Sequence, residues 1–193
     1  YIDGNVWHTT VLAVGGAHLT SDIAHGLRLP ADIAEPVKIQ HGHAFANDVP
    51  LRDSFTVQPF GEDQPSTVSR FDLASIIEAR VEEIFGLILQ EIKRTGYDGL
   101  LPAGVVLTGG TSQLPGIRKV ASQVLNLPCR VAAPQGLQGL VDKLTGPAYS
   151  TSVGLLHWAN RESQVASRTT GKKKKGRTIN IEKGLDFFKR LLP

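Results

Sequence analysis

The sequence predicts an α/β fold with a largely buried sheet, and three observations carry that reading. Continuous apolar runs of strand length, plainest in GVVLT at residues 104–108, alternate with segments of helical period. Two such runs end in paired glycines, Gly15-Gly16 and Gly109-Gly110, and a helical segment follows each. With 193 residues and 41% hydrophobic content, the chain suffices for one moderate domain or one domain carrying a smaller inserted lobe, and no repeat period is visible.

At the start, Asp3-Gly4-Asn5 predicts a hairpin turn, and residues 6–14, rich in Thr, Val and Leu, predict a strand. The chain contains no methionine, so Tyr1 is expected to follow an earlier segment that supplies a partner strand. After Gly15-Gly16, Thr20 or Ser21 is placed to cap a helix that runs through Ile23, Ala24 and Leu27 and stops before Pro30. A second helix is expected over residues 31–40. Pro36 in its middle removes a donor at a cost of about 3 kcal/mol unless it sits in the first turn or at a kink. Residues 41–68 hold Gly, Pro and Asp around the short apolar piece Phe55-Thr56-Val57, which suits a loop-rich element with short strands. The clearest helix covers residues 71–94, where Leu73, Ile76, Ile77, Val81, Ile84, Leu87, Ile88 and Ile92 recur at helical spacing before Gly96. Beyond it come the strand at 104–108, the turn Gly109-Gly110-Thr111-Ser112, and a helix after Pro115 to about Leu125. A short strand at 129–132, a turn region at 134–140 and a final helix over 148–158 complete the pattern.

Composition removes several function classes. No stretch of 18 apolar residues and no opening signal peptide is present, and the lone Cys129 excludes an internal disulfide, which fits a reducing cytoplasm. Of the six histidines only His41 and His43 are close, with no Cys or carboxylate spacing to complete a metal site. Ser150, Thr151 and Ser152 near His157 open an apolar helix, so capping explains them better than nucleophilic chemistry. No catalytic constellation is defined.

The C-terminal segment is different in kind. From residue 161 onward there are ten Lys/Arg against three Asp/Glu, which leaves eleven against fifteen before it, so the pI of 9.1 belongs to the tail. Residues 161–179 have almost no large apolar groups and read as a solvated basic tether. In residues 180–193, at about 100° per residue, Ile181, Leu185, Phe188 and Leu192 share a narrow stripe that Phe187 and Leu191 widen. Lys172, Lys173, Lys174, Lys175 and Arg177 precede it. A cationic run worth about 1 kcal/mol per basic residue near anionic lipid, followed by a helix too short and too charged to span, describes an interfacial membrane anchor. An acidic body and no arginine-rich groove-reading pattern argue against nucleic acid. The plain alternative is a terminal helix docking its apolar stripe on the core.

A strand ending in Gly-Gly before a helix clears side-chain bulk where backbone N–H groups can approach an anion, and two such turns in one chain point to a nucleotide. A turn needing glycine only for its dihedrals would look the same.

The run VVLTGGTSQLPG at 105–116 resembles the adenosine motif of the actin and Hsp70 ATPase superfamily. With VGGAHLTSDIAHGL at 14–27, AEPVKIQHG at 34–42 and PAYSTSVGLLHW at 147–158 in this order, the chain resembles the FtsA family of bacterial cell-division proteins over nearly its whole length. The resemblance implies the C-terminal half of an actin-like (ribonuclease-H-like) ATPase fold over residues 1–160, with a small lobe at about 27–86, a flexible basic linker at 161–179 and a membrane-targeting amphipathic helix at 180–193. It implies ATP binding, with Gly15 and Gly16 near the phosphates and ribose, Glu35 and Lys38 at the nucleoside, and Gly109, Gly110 and Thr111 beside the adenosine. Mg2+ would be held mostly by an N-terminal half outside this chain, so efficient ATP hydrolysis is not expected of it. The implied partners are the C-terminal peptide of FtsZ at Arg80 and Glu83, further copies of the protein in actin-like filaments, an anionic membrane surface and other divisome proteins. Taken alone, each of the pairs Glu35/Lys38 and Arg80/Glu83 reads as a solvated helix face worth a few tenths of a kcal/mol. The implied role is an adaptor that fixes FtsZ filaments to the cytoplasmic side of the plasma membrane at the division site. An Hsp70-like chaperone would call for a peptide-binding domain after residue 160, whereas a pilus-assembly or shape-determining actin relative would differ in its partner surface.

Overall fold

The computed structural model describes residues 1, 4–61, 64–136 and 144–169, and its contacts form two compact units, Tyr1–Val153 and a second beginning at Gly154. The first unit is built from α1 (Gly16–Gly26), α2 (Ala31–His41), the antiparallel pair β1 (Ser54–Val57) and β2 (Ser66–Ser69), and α3 (Arg70–Arg94). The parallel pair β3 (Val105–Leu107) and β4 (Cys129–Val131), joined by α4 (Ile117–Leu125), completes it. A further helix, α5, covers Ser150–Thr169.

One core serves these elements. Leu19 and Ile23 from α1, Leu73, Ile77 and Val81 from α3, and Val120 from α4 are its largest fully buried side chains. On α3 they fall at positions 73, 77 and 81, the i, i+4, i+8 row that a helix presents to one neighbour. Ser69 caps α3 through its side chain, accepting from the amide of Asp72. The β3–α4–β4 unit is a parallel crossover with Val106 opposite Arg130, and it leaves Gly109-Gly110 at the carboxyl end of β3.

The expected α/β fold is present, with four differences in detail. Residues 6–14 form no strand, because no neighbour among the described residues bonds them, and Val6, Trp7 and Val11 are exposed. An extended segment becomes a strand only when a ladder partner satisfies its amides. The expectation of a largely buried sheet is also corrected. Val105 and Leu107 pack toward the core while Val106, opposite Arg130, faces outward, so β3 alternates as a strand covered on one side does. Thr20 and Ser21 do not cap α1. The helix starts four residues earlier at Gly16, behind Gly15, and Thr20 is buried inside it. Finally, α5 continues past residue 158 to Thr169, so residues 161–169, expected in the tether, are helical, and no Gly or Pro interrupts residues 155–169. The remaining linker residues and the amphipathic segment 180–193, with Lys172–175, Arg177, Ile181, Leu185, Phe187, Phe188, Leu191 and Leu192, lie outside the described residues.

Candidate functional site

Gly15 is extended, and α1 begins at the next residue with His18 donating its amide to the Gly15 carbonyl at 3.0 Å. Opposite stands the turn after β3. Gly109 has φ of +94°, a conformation open to glycine, and Gly110–Gln113 forms a 3-10 turn. The Ser112 hydroxyl closes this turn onto the Gly109 carbonyl at 2.7 Å, and the Gly109 amide donates to Pro147 at 3.0 Å. These bonds make the second glycine turn a fixed structure.

The two turns meet. A Cβ placed on Gly16 would lie 2.3 Å from Thr111 Oγ1 and 3.7 Å from Lys38 Nζ, so glycine is the residue that permits the approach. At Gly15 and Gly109 an added Cβ would meet nothing within 4 Å, which leaves open space over both turns. A cleft of about 440 Å³ runs between them, lined by Gly15, Gly16, Gly109, Gly110 and Thr111 among others. A second of about 340 Å³ shares Gly110 and Thr111 and is walled by Glu35, Lys38 and Gln113. All seven residues assigned to nucleotide from the sequence therefore line two clefts that share Gly110 and Thr111.

Pro36 does not displace Glu35. α2 runs through the proline as a helix, anchored by buried Ala34 and Val37, and Glu35 and Lys38 stay one turn apart. Lys38 Nζ donates to Glu35 Oε2 at 2.6 Å, to Thr20 Oγ1 at 2.8 Å and to the Gly16 carbonyl at 3.1 Å. The Thr20 hydroxyl lies against both Glu35 Oε2 and, at 3.1 Å, the Gly16 carbonyl. Burial raises the Glu35 pKa, but hydrogen bonds from Lys38 and Thr20 and the charge of Lys38 outweigh it, leaving the carboxyl below its ordinary value. Sequence reasoning missed Thr20 because only the fold brings it beside residues 15 and 18 positions away.

On α3, Arg80 and Glu83 do pair, at 2.6 Å, but Arg80 also has a partner that sequence reasoning missed. Asp22 of α1 takes the guanidinium in bidentate fashion, at 2.5 Å to Nε and 2.9 Å to a terminal nitrogen. That hydrogen bond, against a smaller opposing effect of burial, holds the Asp22 carboxyl below its usual range, and the partner carboxylates raise Arg80. A group with a depressed folded-state pKa stabilises the fold above its unfolded value, about 4, and loses that contribution as pH falls through the folded one. Asp22→Asn is thus expected to cost about 1 kcal/mol at neutral pH and progressively less below about pH 4. Urea denaturation of both proteins near pH 7 and pH 3 checks this, and a gap that fails to narrow on acidification contradicts it.

Among the described residues, no group of three or more His, Cys, Asp or Glu stands close enough to hold a metal ion, and no helix is long and apolar enough to cross a membrane. With a parallel β–α–β pair, two opposed glycine turns and a lysine between them, the first unit has the architecture of half of an actin-like ATPase fold. Two solved structures of the same fold bear this out: MreB5 of Spiroplasma citri bound to ADP (TM-score 0.59, 17% identity, 83% of this chain and 48% of that one) and the same protein bound to AMPPNP (0.58, 16%, 80% and 47%). Within that class the chain belongs to the FtsA family, whose model, described as cell division protein FtsA, matches residues 1–154. It is 39% identical over 156 residues to the FtsA of Pseudomonas aeruginosa (81% of this chain, 37% of that protein). For the FtsA of Neisseria meningitidis the figures are 41% over 160 residues (82% and 39%), and for that of Escherichia coli 36% over 182 (88% and 43%). The chain spans about two fifths of the length of the curated relatives it matches.

Proposed function

We propose that the chain serves in a bacterial cell-division adaptor whose actin-like body binds ATP and which holds FtsZ filaments on the cytoplasmic face of the plasma membrane. The observation that carries the nucleotide reading is the meeting of Gly16, Lys38 and Thr111 at the junction of two glycine turns. Helix N-terminal amides at Gly16 suit phosphate, and the Glu35 carboxylate, about half exposed, is free to accept from ribose hydroxyls. Gly109, Gly110 and Thr111 would flank the adenosine. Mg2+ would offset the charge of the phosphates there, held mostly by residues of an N-terminal half outside this chain, since no acidic or histidine cluster among the described residues suits it. The chain by itself is not expected to hydrolyse ATP efficiently.

Family membership supports the rest: the C-terminal peptide of FtsZ beside half-buried Arg80 and the more exposed Glu83 of α3, self-association into filaments, contacts with other divisome proteins, and a basic tether leading to a membrane-binding segment at 180–193. An FtsZ tail rich in acidic and apolar groups matches Arg80 in charge. The test is three-component sedimentation. FtsZ filaments are expected to pellet with anionic vesicles only when the chain is present, and Arg80→Ala is expected to release FtsZ while leaving the chain on the vesicles. FtsZ that pellets equally without the chain, or equally with Arg80→Ala, would argue against the adaptor.

A further inference from the structure

We propose that Thr20 is a positioning residue that, through its bond with Lys38, sets the Gly15-Gly16 turn for the phosphate side of the nucleotide. The proposal rests on nucleotide binding as read above.

Lys38 has three ammonium protons, and the structure gives it three acceptors: the Glu35 carboxylate, the Thr20 hydroxyl and the Gly16 carbonyl. The residue is 7% exposed, and its donors are spent inside the protein. In this arrangement the ammonium holds all three oxygens in place. Thr20 is equally buried, at 8%, and its oxygen sits between the lysine, Glu35 and the same Gly16 carbonyl. A residue in mid-helix that bonds back four positions ordinarily bends or loosens its helix slightly. Here the back-bond is shared with a buried lysine from another helix.

Gly16 is the first residue of α1, and its carbonyl belongs to the planar peptide that also carries the Ala17 amide. Because the two groups of a trans peptide point in opposite directions, fixing the Gly16 oxygen toward Lys38 fixes the Ala17 N–H away from it. That amide is one of those a helix start leaves without an intrahelical acceptor, and such amides are what an anion at a helix N-terminus engages. The glycine turn is flexible by composition. The Thr20–Lys38 pair removes that freedom at the one peptide where direction matters, and Gly16 is the residue that lets Thr111 close over it.

The experiment compares Thr20→Val, which keeps the shape and deletes the hydroxyl, with Thr20→Ser, which restores it, in the 193-residue chain. Two readouts are used: amide hydrogen exchange of residues 16–19 without ligand, and calorimetric binding of ADP and of adenosine. Thr20→Val is expected to speed exchange at those amides and to weaken ADP about tenfold, with adenosine changed less than about twofold, and Thr20→Ser is expected to recover both. Unchanged exchange and ADP affinity in Thr20→Val, or equal loss of ADP and adenosine, would overturn the positioning role. So would a Thr20→Ser protein as impaired as Thr20→Val. If the parent chain binds neither ligand while Thr20→Val still frees the amides, the nucleotide reading fails and the positioning of the turn stands.

Discussion

Gly104→Ala is expected to destabilise the first unit by about 3–5 kcal/mol, a large part of the stability of a domain this size. Two costs act together there. Gly104 has φ of +73°, where a side chain costs about 1–2 kcal/mol, and an alanine Cβ would fall 2.0 Å from the Pro128 carbonyl oxygen and 2.9 Å from its carbon. That oxygen cannot retreat cheaply, because it accepts from the Val105 amide at 2.8 Å, at the start of the β3–β4 ladder. Overpacking against fixed backbone adds the larger share. Gly99 isolates the first cost: it has the same φ of +73° with nothing within 4 Å of a Cβ, so Gly99→Ala is expected to lose only about 1–2 kcal/mol. Urea midpoints of the two variants decide the matter, and equal losses would show that the approach of Pro128 is not what demands glycine at position 104.

Deleting residues 180–193 is expected to weaken binding to anionic vesicles by at least about a hundredfold. Six apolar side chains, Ile181, Leu185, Phe187, Phe188, Leu191 and Leu192, lie in the deleted segment, and each contributes up to about 1.5–3 kcal/mol if fully removed from water. Even with partial insertion and the cost of ordering the segment, several kcal/mol of attraction should disappear with them. Lys172, Lys173, Lys174, Lys175 and Arg177 remain in the truncated chain and supply only the salt-sensitive part. Replacing the four lysines by glutamine should therefore do something different: weaken binding at low salt and remove most of its salt dependence. Co-sedimentation with anionic and neutral vesicles at two salt concentrations separates these effects. A truncated chain that binds as well as the intact one would sink the membrane anchor.

Elements specified by local chemistry were legible in the sequence. α3 differs from its expected span by one residue, and α4 and β4 fall where Pro115 and Cys129 suggested. Both glycine turns were recognised because removal of side-chain bulk is written in the residues themselves. What depended on partners was not legible. Residues 6–14 have a strand's composition but no ladder among the described residues, and composition cannot report a missing neighbour. Thr20 carries the signature of a helix cap, and only the approach of α2 turns it into a buried link to Lys38. Asp22 and Arg80 are 58 positions apart, and their pairing follows from how α1 packs on α3.

The bidentate grip of Asp22 on Arg80 gives α1 a mechanical character. Thr20 and Asp22 are two positions apart, so they project about 200° from each other around the helix axis, one into the lysine network and the other onto α3. From Gly16 to Asp22 the axis is only about 9 Å long, and an internally hydrogen-bonded rod of that length twists as a whole rather than flexing. Such a rod is clamped at both bearings. Any roll that shifts its first peptide must also slide the carboxylate across the guanidinium, and a two-point contact slides only by letting go of one point.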